Sequence, residues 1–197
     1  MKRKLPLLVV AWLIAACGPR ELQPDPAAVC DRCAQWNEAR APFRVLANTW
    51  YVGTDGLSSL LIETDDGLIL VDGGLPQSAA LIDANIRELG FDPLQIEAIL
   101  VSHVHYDHVG GVNALQRMTG AAVYTSETGV DPLTNGRLLP DDPQYLEDPA
   151  HGSFPKVRNV SAVADGESVA VGDISVTAVY TPGHTHNGVT WTLSLIH

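Results

Sequence analysis

Residues 102–111, Ser-His-Val-His-Tyr-Asp-His-Val-Gly-Gly, place four potential metal ligands within six positions: His103, His105, Asp107 and His108. Alternate side chains of an extended segment share one face, so His103 and His105 can bind one ion together. Asp107 and His108 lie where the backbone must turn, and they can face a second ion. Imidazole and carboxylate ligands suit zinc, and two neighbouring ions can hold a hydroxide between them. The stretch therefore predicts a hydrolytic metal centre.

The alternative is a set of ordinary core or surface histidines. A core would have to satisfy every one of these polar groups, and this pattern followed by two glycines is unusual for a chance cluster. The cluster also follows residues 96–101, an apolar run typical of a strand buried on both faces. Ligands of α/β folds bind outside the carboxyl ends of strands, which favours the metal site.

Hydrophobic periodicity elsewhere predicts an alternation of strands and helices. The predicted strands are residues 43–52, 58–63, 67–71, 96–101, 121–124, 159–163, 168–171, 174–180 and 189–196, and the predicted helices are residues 78–89, 111–118 and 126–133. A polar, proline-containing loop is expected for residues 141–156. This order indicates an α/β sandwich, with sheets packed inside an outer helical layer.

A short basic start precedes an apolar run, residues 5–16, which is too short to span a membrane and is typical of a secretory signal. Residues 13–17, Leu-Ile-Ala-Ala-Cys, resemble a bacterial lipobox, which predicts lipid on Cys17; the alternative is an ordinary signal cut near Ala16. We expect a signal peptide at 1–16, a tether at 17–41 and a metallo-hydrolase domain at 42–197. The chain is expected in the periplasm, attached to the membrane only through the lipid.

The chain is acidic, with a formal charge of −11, and removal of residues 1–16 takes away three basic and no acidic residues, giving −14. Such a charge disfavours nucleic acid as a partner. The only other cysteines form Cys30-Asp-Arg-Cys33. In an oxidising compartment we interpret this pair as structural, most simply a disulfide, rather than a redox pair or a zinc knuckle.

A further histidine follows the strand at 174–180, in Thr181-Pro-Gly-His184-Thr185. Proline and glycine predict a tight turn that carries His184. Together with His103 and His105 it would complete a three-histidine site with an open fourth position, as in catalytic zinc sites.

These motifs resemble those of the metallo-β-lactamase superfamily: Asp72-Gly73-Gly74, the His103–His108 cluster with Gly110-Gly111, and residues 181–185. The flanking segments at residues 48–54, 56–59, 74–78 and 142–145 are most similar to subclass B3 metallo-β-lactamases. The resemblance implies an αββα sandwich, here incomplete at the C-terminus. For the full-length parent it implies a monomer that acts on small β-lactam molecules and confers antibiotic resistance.

The resemblance also implies two zinc ions. His103, His105 and His184 would hold the first; Asp107, His108 and one further histidine would hold the second. A zinc-bound hydroxide would attack the β-lactam carbonyl while the second zinc stabilises the released nitrogen. Asp107 would also orient the hydroxide. Asp72 would either support the ligand loop or be an ordinary turn aspartate.

The chain ends at His197, before the segment in which the family carries that further histidine and the serines for the substrate carboxylate. We therefore expect a C-terminally truncated chain whose second site is incomplete, with His186 and His197 as less favoured substitutes. Three alternatives remain: another enzyme of this fold (a lactonase, a persulfide dioxygenase or a glyoxalase II-like thioesterase), an inactive metal-binding lipoprotein, and a structural domain without metal.

Overall fold

A seven-stranded mixed sheet and a three-stranded antiparallel sheet face each other across an apolar interior. The structure, a computed structural model, describes residues 21–147 and 152–194. The predicted signal peptide, the predicted lipidation site Cys17 and His197 lie outside these ranges. Within them, no helix has the length and apolar character needed to cross a membrane.

The two sheets account for ten strands of the described residues. The large sheet contains β1 (Phe43–Leu46), β2 (Thr49–Tyr51), β3 (Leu60–Glu63), β4 (Leu68–Val71), β5 (Ile96–Leu100), β6 (Ala122–Thr125) and β7 (Val160–Ala162), in that order. The small sheet contains β8 (Ser168–Val171), β9 (Ile174–Tyr180) and β10 (Val189–Leu193). The α-helices are α1 (Cys33–Trp36), α2 (Ser78–Glu88), α3 (Tyr106–Val109), α4 (Val112–Thr119), α5 (Val130–Asn135) and α6 (Pro143–Glu147), with 3₁₀ turns at Pro93–Gln95 and Glu127–Gly129.

Strand direction gives the large sheet two distinct edges. Strands β1 to β4 pair antiparallel, whereas β4 to β7 pair parallel. We call the edge where β4 to β7 end the carboxyl edge and the edge where they begin the amino edge. The ligand cluster directly follows β5, so it lies at the carboxyl edge, as the sequence predicts.

Both faces of the large sheet are buried. Ile99 points into the core beneath the helices, where Ile82 and Ile86 of α2 also pack, while Leu100 points toward the small sheet and Val176. This two-sided burial explains why β5 reads as a continuous apolar run. The far face of the small sheet is polar and exposed at Ser175, Thr190 and Thr192 of β9 and β10. The predicted mixed α/β sandwich is confirmed, with three layers seen in the described residues.

The segment predicted as a tether is packed on the domain from Leu22 onward. Cys33 is 4% exposed, and Leu22 and Trp36 pack against the helical core. Cys30 and Cys33 form a disulfide, which confirms the structural interpretation of that pair. These apolar side chains gain from burial, so residue 42 is not a physical boundary of the domain.

Three short α-helices were not predicted. Helix α1 lies in the segment expected as a tether. The ligand stretch contains α3, a single turn, and the segment expected as a loop at 141–156 contains α6. Helix α6 begins at a proline, and the preceding Asp142 carboxylate accepts a hydrogen bond from the Gln144 backbone N–H at 2.9 Å. The predicted helix at 126–133 is instead a 3₁₀ turn followed by α5. Elements of four or five residues are too short for a helical period to be detected.

Candidate metal centre

Three histidines converge between the two sheets. His103 and His105 follow β5, and His184 lies on the turn between β9 and β10. One ligand nitrogen from each lies within 4.8 Å of the others, and their ring centroids are 4.7–5.0 Å apart. Such a set can hold one ion and leave a coordination position open.

Backbone and side-chain hydrogen bonds hold the His184 turn against the ligand stretch. Val189 N–H donates to the Ser102 carbonyl at 2.7 Å, which joins the start of β10 to the end of β5. The side-chain oxygen Oδ1 of the buried Asn187 accepts from Val104 N–H at 2.7 Å and from the Thr185 hydroxyl at 3.0 Å. The turn is therefore fixed from both sides, and this fixes the position of His184.

Hydrogen bonding selects which nitrogen of His105 and of His103 is free. His105 Nε2 lies 3.1 Å from Asp142 Oδ1, with both side chains buried. A carboxylate only accepts, so Nε2 carries the hydrogen and Nδ1 keeps its lone pair. The Ser102 hydroxyl donates to Asp72 and lies 3.1 Å from His103 Nδ1. That nitrogen therefore donates to Ser102, and Nε2 of His103 is free for a metal.

Asp72 is both a turn residue and a support for the ligands. Its φ of 59° is left-handed, a conformation that aspartate tolerates better than most residues. Its carboxylate accepts from Ser102 N–H at 2.8 Å, from the Ser102 hydroxyl at 2.6 Å and from His108 Nδ1 at 2.9 Å. The last bond leaves Nε2 of His108 as the free nitrogen.

Asp107 and His108 form a second group beside the three histidines. The ring of His108 is 4.0 Å from that of His103, and its Nε2 lies 3.8 Å from Asp107 Oδ2. Asp107 Oδ1 is buried and has no hydrogen-bond partner among the described residues. A buried carboxylate oxygen without a partner beside a free imidazole nitrogen fits a cation there.

The proposed substitute His186 does not join this group. Its side chain is 67% exposed, and its Nε2 lies 3.9 Å from Asp141 Oδ2. In the described part of the chain, the second group therefore has two side chains, while His197 lies outside it.

The environment sets the protonation of these imidazoles. Burial, reinforced by the neighbouring His108, lowers the pKa of His103 to about 3. Burial also lowers the pKa of His105, against the opposing hydrogen bond from Asp142. For His108, burial lowers the pKa, but the hydrogen bond to Asp72 and the charges of Asp72 and Asp107 outweigh it, and the pKa is raised. His103 and His105 are thus neutral near pH 7, the state a metal requires.

The glycine pairs of the motifs lie against each other. Gly73 N–H donates to the His108 carbonyl at 2.8 Å, and a Cβ on Gly73 would lie 2.8 Å from the backbone nitrogen of Val112. A Cβ on Gly110 would lie 2.3 Å from Pro76 Cδ. The two turns approach so closely that only glycine fits between them.

Three supporting residues were missed at the level of the sequence: Ser102, Asp142 and Asn187. Asp142 stands in a segment already singled out, and Ser102 begins the ligand stretch. However, no spacing rule links either of them to a particular histidine. Asn187 gives no sequence signal of its own.

Comparison with known proteins assigns this centre to a family. The family model of the metallo-beta-lactamase superfamily matches residues 52–193, which include every ligand described above. The chain belongs to the metallo-β-lactamase superfamily. Its three-histidine group fits the divalent metal ion that the metallo-β-lactamase fold implies.

Solved metallo-β-lactamases share this architecture. MEM-A1, a subclass B3 enzyme isolated from a soil metagenome library, is 47% identical, with a TM-score of 0.77 over 80% of this chain and 59% of that one. Rm3 metallo-β-lactamase is 45% identical, with a TM-score of 0.80 over 84% of this chain and 61% of that one. A curated relative, an atrochrysone carboxyl ACP thioesterase of Aspergillus fumigatus, is 32% identical over 71% of this chain and 25% of its own length. The chain thus spans about three fifths of these solved structures and a quarter of that relative.

Proposed function

We propose that this chain carries the catalytic centre of a subclass B3 metallo-β-lactamase, a zinc-dependent hydrolase that opens the β-lactam ring and so confers antibiotic resistance. The observation that carries the proposal is the 45–47% identity with MEM-A1 and Rm3 over at least 80% of the chain. A fold alone does not define a substrate, but identity at this level together with a three-histidine metal group in this chain supports one.

The donor set supports zinc as the cofactor. His103, His105 and His184 would hold one ion, and Asp107 with His108 would contribute to a second. Zinc, when bound, supplies an activated water near neutral pH and polarises the carbonyl of the substrate.

The remaining chemistry falls to the protein. Asp142 and Ser102 each contact one nitrogen of His105 and of His103, and so orient two of the three imidazoles that converge with His184. The Asp107 carboxylate, whose Oδ1 has no partner among the described residues, would accept a hydrogen from the attacking water and so orient it. No serine or cysteine nucleophile is required.

Nitrocefin hydrolysis tests the proposal. We expect turnover that a chelator abolishes and added zinc restores, and we expect His105→Ala to remove it while His186→Ala retains it. The second candidate is a thioesterase, which the resemblance to the atrochrysone carboxyl ACP thioesterase favours. Hydrolysis of an acyl thioester without any nitrocefin turnover would select the thioesterase and refute the β-lactamase.

We also propose that the chain is an exported lipoprotein acylated on Cys17, monomeric in the periplasm. The Cys30–Cys33 disulfide supports export, because such bonds persist in oxidising compartments. Intact mass spectrometry of the protein from a bacterial envelope tests this: an acylated chain beginning at Cys17 is expected, and an unmodified Cys17 would contradict it.

A further inference from the structure

A large groove lies at the opposite end of the molecule from the metal centre. It has a volume of about 1050 Å³ and is lined by the last turn of α4 and by the segment entering β7. Its lining includes Ala122, the first residue of β6, and Asn159, the residue before β7, so it lies at the amino edge of the large sheet. The metal ligands follow the carboxyl end of β5, so the two sites are at opposite edges.

The groove is basic although the chain is acidic. Its lining contains Arg117, Lys156 and Arg158, all exposed, and a single acidic residue, Asp25. The described residues contain eight lysines and arginines in total, so three of eight line this one groove. Asp25 already pairs with Arg117 at 2.9 Å, which leaves Lys156 and Arg158 to face an external anion.

The N-terminal segment enters the domain at the same edge. Gln23 accepts a hydrogen bond from Arg117, and Asp25 accepts one from Asn113 of α4 at 2.9 Å. The segment then runs along α4 to Ala28, which exchanges two hydrogen bonds with Gln77, next to the start of α2 at the carboxyl edge. The chain therefore enters beside the basic groove and leaves toward the metal centre.

The length of chain before this entry limits where an anchor can be. Cys17 is six residues before Gln23, and six residues span at most about 22 Å. A lipid on Cys17 thus brings a membrane surface within that distance of the groove.

We propose that this basic groove faces the phosphate headgroups of the membrane that holds Cys17, and that it thereby turns the metal centre toward the surrounding solution. The proposal rests on the lipidation proposed above, not on the substrate of the enzyme. Each basic side chain near an anionic lipid surface strengthens contact by about fivefold. Because the processed chain has a charge of −14, the groove orients an anchored domain rather than recruiting a free one.

A single lysine makes the orientation measurable. Lysine occurs only at positions 2, 4 and 156, so Lys156 is the one lysine of a chain that begins at Cys17. The lipidated protein is placed on vesicles of phosphatidylglycerol or of phosphatidylcholine and treated with an amine-reactive ester, and labelling of Lys156 is followed by peptide mass spectrometry. We expect labelling about fivefold slower on phosphatidylglycerol, with the difference lost near 1 M salt, where screening acts over about 3 Å.

A matched pair of variants isolates the groove. Arg158→Ala should restore most of the labelling of Lys156 on phosphatidylglycerol. Arg87 is an exposed arginine on α2, away from the groove, and Arg87→Ala should leave the labelling of Lys156 slow. Equal rates of Lys156 labelling on the two lipids would overturn the proposal. Protection of Lys156 from labelling by duplex DNA, added in place of vesicles, would overturn it as well. A chain without acyl mass on Cys17 would also overturn it, and the same spectra would assign that failure to the anchor rather than to the groove.

Discussion

Asp142 acts on the metal centre through His105 without needing to touch a metal. Its carboxylate accepts from Nε2 at 3.1 Å in a buried setting and at the same time caps the start of α6 through Gln144 N–H. The same side chain therefore sets the ring orientation of one ligand and anchors the segment that passes beside it.

Asp142→Asn should weaken zinc binding by about 10- to 100-fold, since an amide can present its N–H₂ to His105 and no longer favours one tautomer. Competition with a chromophoric chelator measures the affinity. The neighbouring Asp141→Asn is the control, because the Asp141 side chain is 69% exposed and its Oδ2 lies 3.9 Å from His186 Nε2, beyond hydrogen-bond distance. Equal zinc affinity in the two variants would contradict the role of Asp142.

The metal-free chain should lose stability as the pH falls below about 6.5. The pKa of His103 is about 3 when folded and about 6.5 when unfolded, so the unfolded chain takes up this proton first. The contribution of His103 to the free energy of unfolding is complete above about pH 6.5. It declines toward pH 3, with a slope of up to about 1.4 kcal/mol per pH unit. His108 opposes it, because its raised pKa stabilises the folded state at low pH. Urea unfolding between pH 7 and 4 should show a flatter slope in His103→Gln than in the parent chain; identical slopes would exclude this cause.

At the scale of elements, the metal centre depends on two turns that touch. The turn after β4 carries Gly73, and the turn between α3 and α4 carries Gly110 and Gly111. Gly111 N–H donates to the Gly74 carbonyl at 3.2 Å, so α3 is held against the end of β4. This contact positions Asp107 and His108, both of which lie on α3.

Gly110→Ala should destabilise the domain by about 2–3 kcal/mol, because its Cβ would lie 2.3 Å from Pro76 Cδ and 2.6 Å from the Tyr106 carbonyl. Gly90→Ala is the comparison: that glycine has a φ of +88° but nothing within 4 Å, so only about 1 kcal/mol of backbone strain is expected. Chemical denaturation gives both values. A smaller loss at Gly110 than at Gly90 would show that the turns can separate.

At the scale of the whole molecule, the three-histidine group joins two sheets, since two of its members follow β5 and the third follows β9. An ion held there should therefore stabilise the domain as one unit. At a free zinc concentration 100 times the dissociation constant, the gain is about 2.7 kcal/mol. Calorimetry should show a single transition that moves upward with zinc, and His184→Ala should abolish the shift. Two separate transitions would indicate that the sheets unfold independently.

The sequence predicts the features that depend on local pattern. The apolar run of β5, the histidine spacing at 103–108 and the Pro-Gly turn before His184 each carry their own signal, and the structure brings the three histidines together. The features that were missed depend on distant partners. Asp142 is 37 residues from His105, and Asp25 is 92 residues from Arg117. Neither pairing is visible in any window of sequence, so the docked N-terminal segment could not be predicted.

The position of His184 has a consequence for the order of folding. It is 79 residues from His105, and the hydrogen bond that seats its turn joins Val189 to Ser102. Closing so long a loop is entropically costly, and parallel strands such as β4 to β7 pair slowly. The ion can therefore be captured by all three imidazoles only late in refolding, after β9 and β10 have docked. The rate at which all three imidazoles bind the ion thus reports the final step of assembly and not the nucleation of folding.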